Sequence, residues 1–220
     1  MFVDDVDAPI LADDDRHHLA RVRRIRDGAP ITICDGAGRW RPARFGDDIE
    51  LEGEVVVVRR PQPSITIAMA AVKADRTSYA VQKLTEIGVD RIVILHTERS
   101  VVRWEGAKSA KSLHRLQTIA RSAAEQSRQV WIPLVEGPFS LADIAAEAGV
   151  AIAERGGSVV NLSTPTLLVG PEGGWTQGEL EADVPRVSLG PGVLRAETAA
   201  VAAGVLLTAL RTGLVRGHAE

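Results

Sequence analysis

The chain has 220 residues, one cysteine and a formal net charge of −3, a length that fits one large domain or two small ones. A lone Cys34 excludes an internal disulfide framework, and without a Cys/His cluster no structural zinc site, and no metal, is expected. Hydrophobic residues at 45% and charged residues at 25% are the mixture of a folded chain, which excludes global disorder.

The first segment, MFVDDVDAPILADDD, is acidic and has no basic n-region, so it does not read as a signal or transit peptide. A helix is predicted to follow, with Asp13 to Asp15 at its N-terminus and Leu19, Val22 and Ile25 along one face, ended by Gly28 and Pro30. Strands are then expected at 31–35, 39–45 and 49–58, separated by turns at 36–38 and 46–48. Short strands between Gly and Asp turns point to a small antiparallel β-barrel. The stretch RRPQPS at 59–64 suits neither a helix nor a central strand and reads as a linker.

Beyond the linker the rhythm changes. Apolar runs at 65–72, 91–95, 150–154 and 166–170 read as buried strands, with shorter strands at 131–135, broken by Pro133, and at 186–189. Helices are expected at 76–87, with Tyr79, Leu84 and Ile87 on one face, and at 105–127, 140–148, 176–183 and 196–211. This alternation predicts an α/β layer fold on a mainly parallel sheet. The division of the chain is accordingly placed at 1–64 and 65–220. The last helix is apolar on nearly every face, which predicts cover by the sheet and by a partner subunit. The 15-residue apolar stretch 196–210 is shorter than the roughly 20 residues of a membrane span and carries Glu197, so no membrane association is expected and the chain reads as cytoplasmic.

The small net charge hides a pattern. Residues 1–15 carry six Asp and no base, 16–44 carry eight Arg against two Asp, a local +6, and 45–58 carry five acids and no base. A second basic run, 99–128, sets seven Lys and Arg against Glu105 and Glu125. Such asymmetry points toward a polyanionic partner.

Two segments carry chemistry. In LLVGPEGG (167–174) a buried strand runs into three glycines in five residues and then a helix start. Ligands of α/β sheets bind beyond the carboxyl ends of strands, where glycine lets backbone approach them closely. The pattern is neither a dinucleotide fingerprint nor a P-loop. In VSLGPGVLRAETAA (187–200) a second strand exits through Gly-Pro-Gly into the last helix, holding Arg195 beside the inferred pocket and Glu197 and Thr198 in the helix's first turn.

Together with EQS at 125–127 and QKLTEIGVDRIV at 82–93, these segments resemble the RsmE family of ribosomal small-subunit RNA methyltransferases, members of the SPOUT superfamily, over essentially the whole chain. The resemblance implies a C-terminal α/β SPOUT-type domain tied in a deep trefoil knot, behind an N-terminal PUA-like RNA-binding β-barrel. It implies S-adenosyl-L-methionine as methyl donor and a homodimer whose interface includes the last helix. The activity it implies is N3-methylation of one uridine in the 16S ribosomal RNA of the 30S subunit. Carried onto this chain, donor binding falls to Val169, Gly170, Glu172, Gly173 and Gly174 in one loop, and to Leu189, Gly190, Leu194, Ala196 and Thr198 in the other. Arg195 would stabilise negative charge on the uracil oxygens, and Glu197 or Glu172 would take the N3 proton. Arg16, Arg21, Arg23, Arg24 and Arg128 are the RNA-contacting candidates. The chain departs from the family pattern at Gly192 and at Gln129, where relatives often carry arginine. Two alternatives stay open: a SPOUT enzyme acting on another RNA position such as a ribose 2′-hydroxyl, and a non-catalytic RNA-binding assembly factor.

Overall fold

The structure is a computed structural model that describes residues 1–11, 25–73, 75–104, 106–181 and 183–216. Its contacts divide the chain into two compact units, Met1–Arg60 with Ala124–Ile132, and Pro61–Ala123 with Pro133–Glu220. The helix expected at 13–27 falls largely outside the described residues, as do Arg16, Arg21, Arg23 and Arg24.

In the first unit β1 (Pro30–Cys34) and β2 (Arg39–Arg44) form an antiparallel hairpin around the Gly36–Gly38 turn, with Ile33 opposite Arg41. β2 also pairs antiparallel with β3 (Glu50–Leu51) and β4 (Val56–Val57). The single strand expected over 49–58 is therefore two, interrupted at Gly53, whose φ of +63° breaks the extended run. A small core of Val3, Val6, Leu11, Ile33, Ala43 and Phe45 holds the unit. Gly38 (φ +95°) lies against Trp131; a Cβ there would fall 2.4 Å from the indole Cζ2.

The alternating charge blocks of the sequence meet in this unit. Arg39 pairs with Asp7 at 2.6 Å, Arg41 with Asp7 at 3.5 Å, and Arg44 with Glu52 at 2.7 Å. The acidic flanks thus fold back on β2, and three of the arginines behind the local +6 are internally matched.

The second unit is built on a six-stranded sheet in the order β10-β8-β9-β5-β6-β7, parallel at every pairing. Its strands are β5 (Thr66–Ala70), β6 (Arg91–His96), β7 (Leu134–Ser140), β8 (Val150–Val159), β9 (Thr166–Val169) and β10 (Arg186–Ser188). Every residue of β5 and β9 is buried, as expected of a parallel sheet covered on both faces. Side chains alternate between two cores. Ile67, Met69, Ile92, Ile94 and Leu167 meet Leu84, Leu116 and Leu207 on one face, while Ala68, Val93, Leu95 and Leu168 meet Ile144 and Trp175 on the other.

The helices are α1 (Arg76–Ile87), α2 (Ala107–Gln126), α3 (Leu141–Ala145), α4 (Gln177–Leu180) and α5 (Ala196–Arg211). The buried face of α1 is Thr77, Ala80, Val81, Leu84 and Thr85; Tyr79, expected on that face, is 52% exposed, with Lys83 over its ring. α3 is shorter than its expected span of 140–148, with Ser140 and Asp143 forming a capping box.

Two strands differ from the sequence reading for the same physical reason. β7 begins after Pro133 and continues through Gly137-Pro138, which an edge strand tolerates because one side of its backbone is unpaired. β8 runs on through Gly156-Gly157, where its register with β10 shifts; a Cβ on Gly157 would lie 2.6 Å from the Arg186 and Val187 backbone. Gly137, like Gly157, is a point of close backbone approach: a Cβ on it would fall 2.4 Å from the Ile94 carbonyl oxygen.

α5 packs on β5, β9 and α1 through Ala200, Ala203, Gly204 and Leu207. Gly204 permits this approach, since a Cβ would fall 2.6 Å from Leu84 Cδ2. Among the described residues nothing buries Val205, 46% exposed on this helix, or Leu214, just past it and 82% exposed. Among the described residues no helix is long and apolar enough to cross a membrane.

Candidate active site

The loops leaving β9 and β10 turn toward each other beyond the carboxyl ends of the sheet, and with the start of α5 they enclose a cavity of about 320 Å³. Glycine makes both turns possible: Gly174 has φ +68° and Gly190 φ +137°, conformations that side-chain-bearing residues rarely adopt. Gly174, Gly190 and Gly192 also face open space, with no atom within 4 Å of where a Cβ would stand. The wall is backbone at these glycines, apolar at Val169, Leu189, Leu194, Ala196 and Ala199, and polar at Glu154, Arg155 and Glu172. Its size and lining suit a small amphipathic ligand.

Neighbouring loops lock the first turn in place. Arg99, from the loop after β6, donates through Nη1 to the carbonyl oxygens of Gly173 at 3.0 Å and Trp175 at 3.1 Å. Buried Glu179 completes a capping box with Thr176 and also accepts from the Glu98 amide at 2.9 Å. Trp175 lies against Gly170, whose missing side chain leaves room for the indole.

Arg76, at the first position of α1, joins the two motifs. Its Nη1 is 3.2 Å from Glu172 of the first loop, and its Nε is 3.7 Å from Glu197 at the start of α5. The second oxygen of Glu197 is buried and has no hydrogen-bond partner. Removing Arg76 leaves that carboxylate without its cation, at a cost of about 1–3 kcal/mol. Arg76→Ala is therefore expected to weaken donor binding about tenfold, read by calorimetry, with Arg76→Lys recovering part of it.

The structure brings Val169, Gly170, Glu172, Gly174, Leu189, Gly190, Leu194 and Ala196 together on one cavity wall. Gly173 sits on the outer side of its loop, where a Cβ would meet Arg99 Cβ at 3.3 Å, and Thr198 is exposed off the cavity. Arg195 is the exposed N-cap of α5 and makes no ion pair among the described residues. Glu197 is buried against Arg76 rather than on the cavity wall. Arg128 lies in the first unit, past the end of α2, with φ +58°. Gln129 lies beside it, its backbone N–H donating to the Ala124 carbonyl oxygen at 2.8 Å.

Sequence reasoning missed Arg76, Arg99, Glu154 and Arg155. Arg99 opened the basic run at 99–128 and Arg76 opened a predicted helix, but nothing in their spacing tied them to the glycine loops. Arg155 follows the apolar strand and carried no signal.

The chain matches the RNA methyltransferase domain family over residues 59–208 and the RNA methyltransferase PUA domain family over 11–56. It is 35% identical over 216 residues to the ribosomal RNA small subunit methyltransferase E of Mycobacterium bovis, covering 86% of this chain and 82% of that one. It is 28% identical to the Bacillus subtilis protein of the same name, covering 91% and 89%. The crystal structure of a ribosomal RNA small subunit methyltransferase E from Neisseria gonorrhoeae, bound to S-adenosyl methionine, superposes with a TM-score of 0.82 at 30% identity and covers 96% of both chains.

Proposed function

Because the chain belongs to the RsmE family of RNA methyltransferases, we propose that it transfers a methyl group from S-adenosylmethionine to N3 of one uridine in 16S ribosomal RNA. The observation that carries this reading is the convergence of the GPEGG and LGPGVLRAET loops on one cavity of about 320 Å³. When bound, the donor supplies a methyl group on a positively charged sulfur, already electrophilic. The protein's task is then to align the acceptor nitrogen and to manage its proton.

Alignment falls to the glycine backbones of Gly170, Gly174 and Gly190, which let the loops close on the ligand, and to the Leu189, Leu194 and Ala199 wall, which excludes water. Positioning of this kind supplies several kcal/mol of barrier lowering. Arg195, exposed and without an ion-pair partner among the described residues, is the group for the negative charge that builds on the uracil oxygens as N3 loses its proton. In this reading Glu172, which lines the cavity, accepts that proton. Glu197, expected from sequence to be catalytic, is in this reading an anchor: it is buried, directed at Arg76, and off the cavity wall. A duplexed or stacked target must be turned outward to enter.

The exposed apolar residues Val205 on α5 and Leu214 just past it support a homodimer through that helix. The trefoil knot and a cytoplasmic location belong to the same reading. Incubation of the protein with donor labelled in its methyl group, on naked 16S RNA and on 30S particles lacking the modification, tests it. Label in RNA from at least one substrate is expected. No label in either refutes methyl transfer to this RNA.

A further inference from the structure

Apart from Arg99, the basic run at 99–128 is not consumed by the donor site. From residue 99 to 124 the sequence has six Lys and Arg and one acid, Glu105, which lies outside the described residues. Within α2 no acid appears before Glu125, so the helix lacks the Glu–Lys pairs at four-residue spacing that usually balance a solvated face. Its buried stripe is Leu116, Ala120 and Ala123, with Leu113 and Ile119 partly buried beside it. On the outer face Lys108, Lys111 and Arg115 follow one another at spacings of three and four. All three are exposed, as is Arg103 just before the helix. Among the described residues Arg103, Lys108 and Lys111 make no ion pair.

Two features separate this face from an ordinary solvated one. Lys108 and Lys111 stand near the N-terminus of a 20-residue helix, where cations oppose the helix dipole, so they do not serve the helix itself. The face also runs into the active site through named contacts. Arg115 pairs with Asp75 at 3.0 Å; the next residue, Arg76, pairs with Glu172 on the cavity wall at 3.2 Å. The Arg115 end of the face is thus two ion pairs away from the cavity wall.

We propose that the outer face of α2, Arg103, Lys108, Lys111 and Arg115, is a phosphate track for the RNA strand flanking the target nucleotide. This rests on the reading of the protein as an RNA methyltransferase and adds where its substrate's backbone lies. Arg115, fixed by Asp75, marks the end of the track nearest the cavity, and the freer lysines follow the strand outward.

The test is the double variant Lys108→Ala/Lys111→Ala in the full chain. Its affinity for a 16S RNA fragment is measured by filter binding across a KCl series, beside donor affinity by calorimetry. Each lost phosphate contact lowers the slope of log K against log[salt] by about 0.7–0.9, so a decrease of about 1.4–1.8 is expected. The KM for RNA should rise, with donor Kd and kcat at saturating RNA unchanged. An unchanged salt slope and RNA KM overturn the track. A rise in KM on assembled 30S particles but not on naked RNA also overturns it, assigning the face to a ribosomal protein instead. If the wild-type chain binds neither the RNA fragment nor 30S particles at any salt concentration, the methyltransferase reading itself fails, a result distinct from failure of the track alone.

Discussion

Gly170→Val abolishes measurable donor binding while the chain remains folded. The side chain that Gly170 lacks would place its Cβ 2.9 Å from Cε2 and 3.2 Å from Cδ2 of Trp175, far inside normal contact. Trp175 is 6% exposed, its carbonyl oxygen is held by Arg99, and the Thr176–Glu179 box fixes the residues that follow it, while buried β9 fixes the chain before Gly170. With both ends pinned, the loop cannot back away, so the indole is displaced within the cavity wall it forms. Overpacking of this kind costs about 1–3 kcal/mol of stability, which lowers Tm without unfolding the protein. Donor Kd is expected to rise at least about 100-fold, equivalent to ~2.7 kcal/mol. Gly178→Ala, in the adjoining α4 with nothing within 4 Å, serves as control and should bind donor normally. An unchanged Kd in Gly170→Val would place the donor elsewhere.

The second large effect lies at the other end of the strands. Arg211, near the end of α5, forms an ion pair with Asp90 in which the two side chains are 6% and 5% exposed. Asp90 also accepts from the Ile65 amide at 2.8 Å, at the start of β5, and Arg211 donates to the Gly88 carbonyl at 2.7 Å. One guanidinium thus ties the last helix to the entry of two central strands. Arg211→Leu leaves a buried carboxylate without its cation and should cost about 3–5 kcal/mol in urea unfolding. Arg211→Leu combined with Asp90→Leu should recover much of that loss, because no charge is then stranded. Since this network stands at the amino ends of the strands and the cavity at their carboxyl ends, donor Kd of the folded protein should hardly move.

What was legible in the sequence followed from repeating patterns. The continuous apolar runs of β5, β6 and β9 announced a buried parallel sheet, and Gly88, with φ +88°, ended α1 where expected. The cavity wall was legible because glycines at strand exits have a local cause, visible residue by residue. Contacts made by lone arginines from distant segments were not legible. Arg76 reaches Glu172 across 96 residues, and Arg99 reaches Gly173 across 74; no spacing rule relates such positions. Within the basic segment 16–44, the pairing of three arginines was not legible for a related reason. Asp7 and Glu52, from the flanking acidic blocks, neutralise Arg39, Arg41 and Arg44 once β2 has formed. The flanks of the sequence pattern were as informative as its centre.

The account stands most directly on the chemical identity of the product. Naked small-subunit RNA and 30S particles from a strain deleted for this protein are each treated in vitro with the purified chain and S-adenosylmethionine, and their RNA is digested to nucleosides and analysed by mass spectrometry. One new N3-methyluridine per RNA is expected from at least one of the two substrates, lost with Gly170→Val. A 2′-O-methylated nucleoside, or no new methylated nucleoside from either substrate, would contradict it.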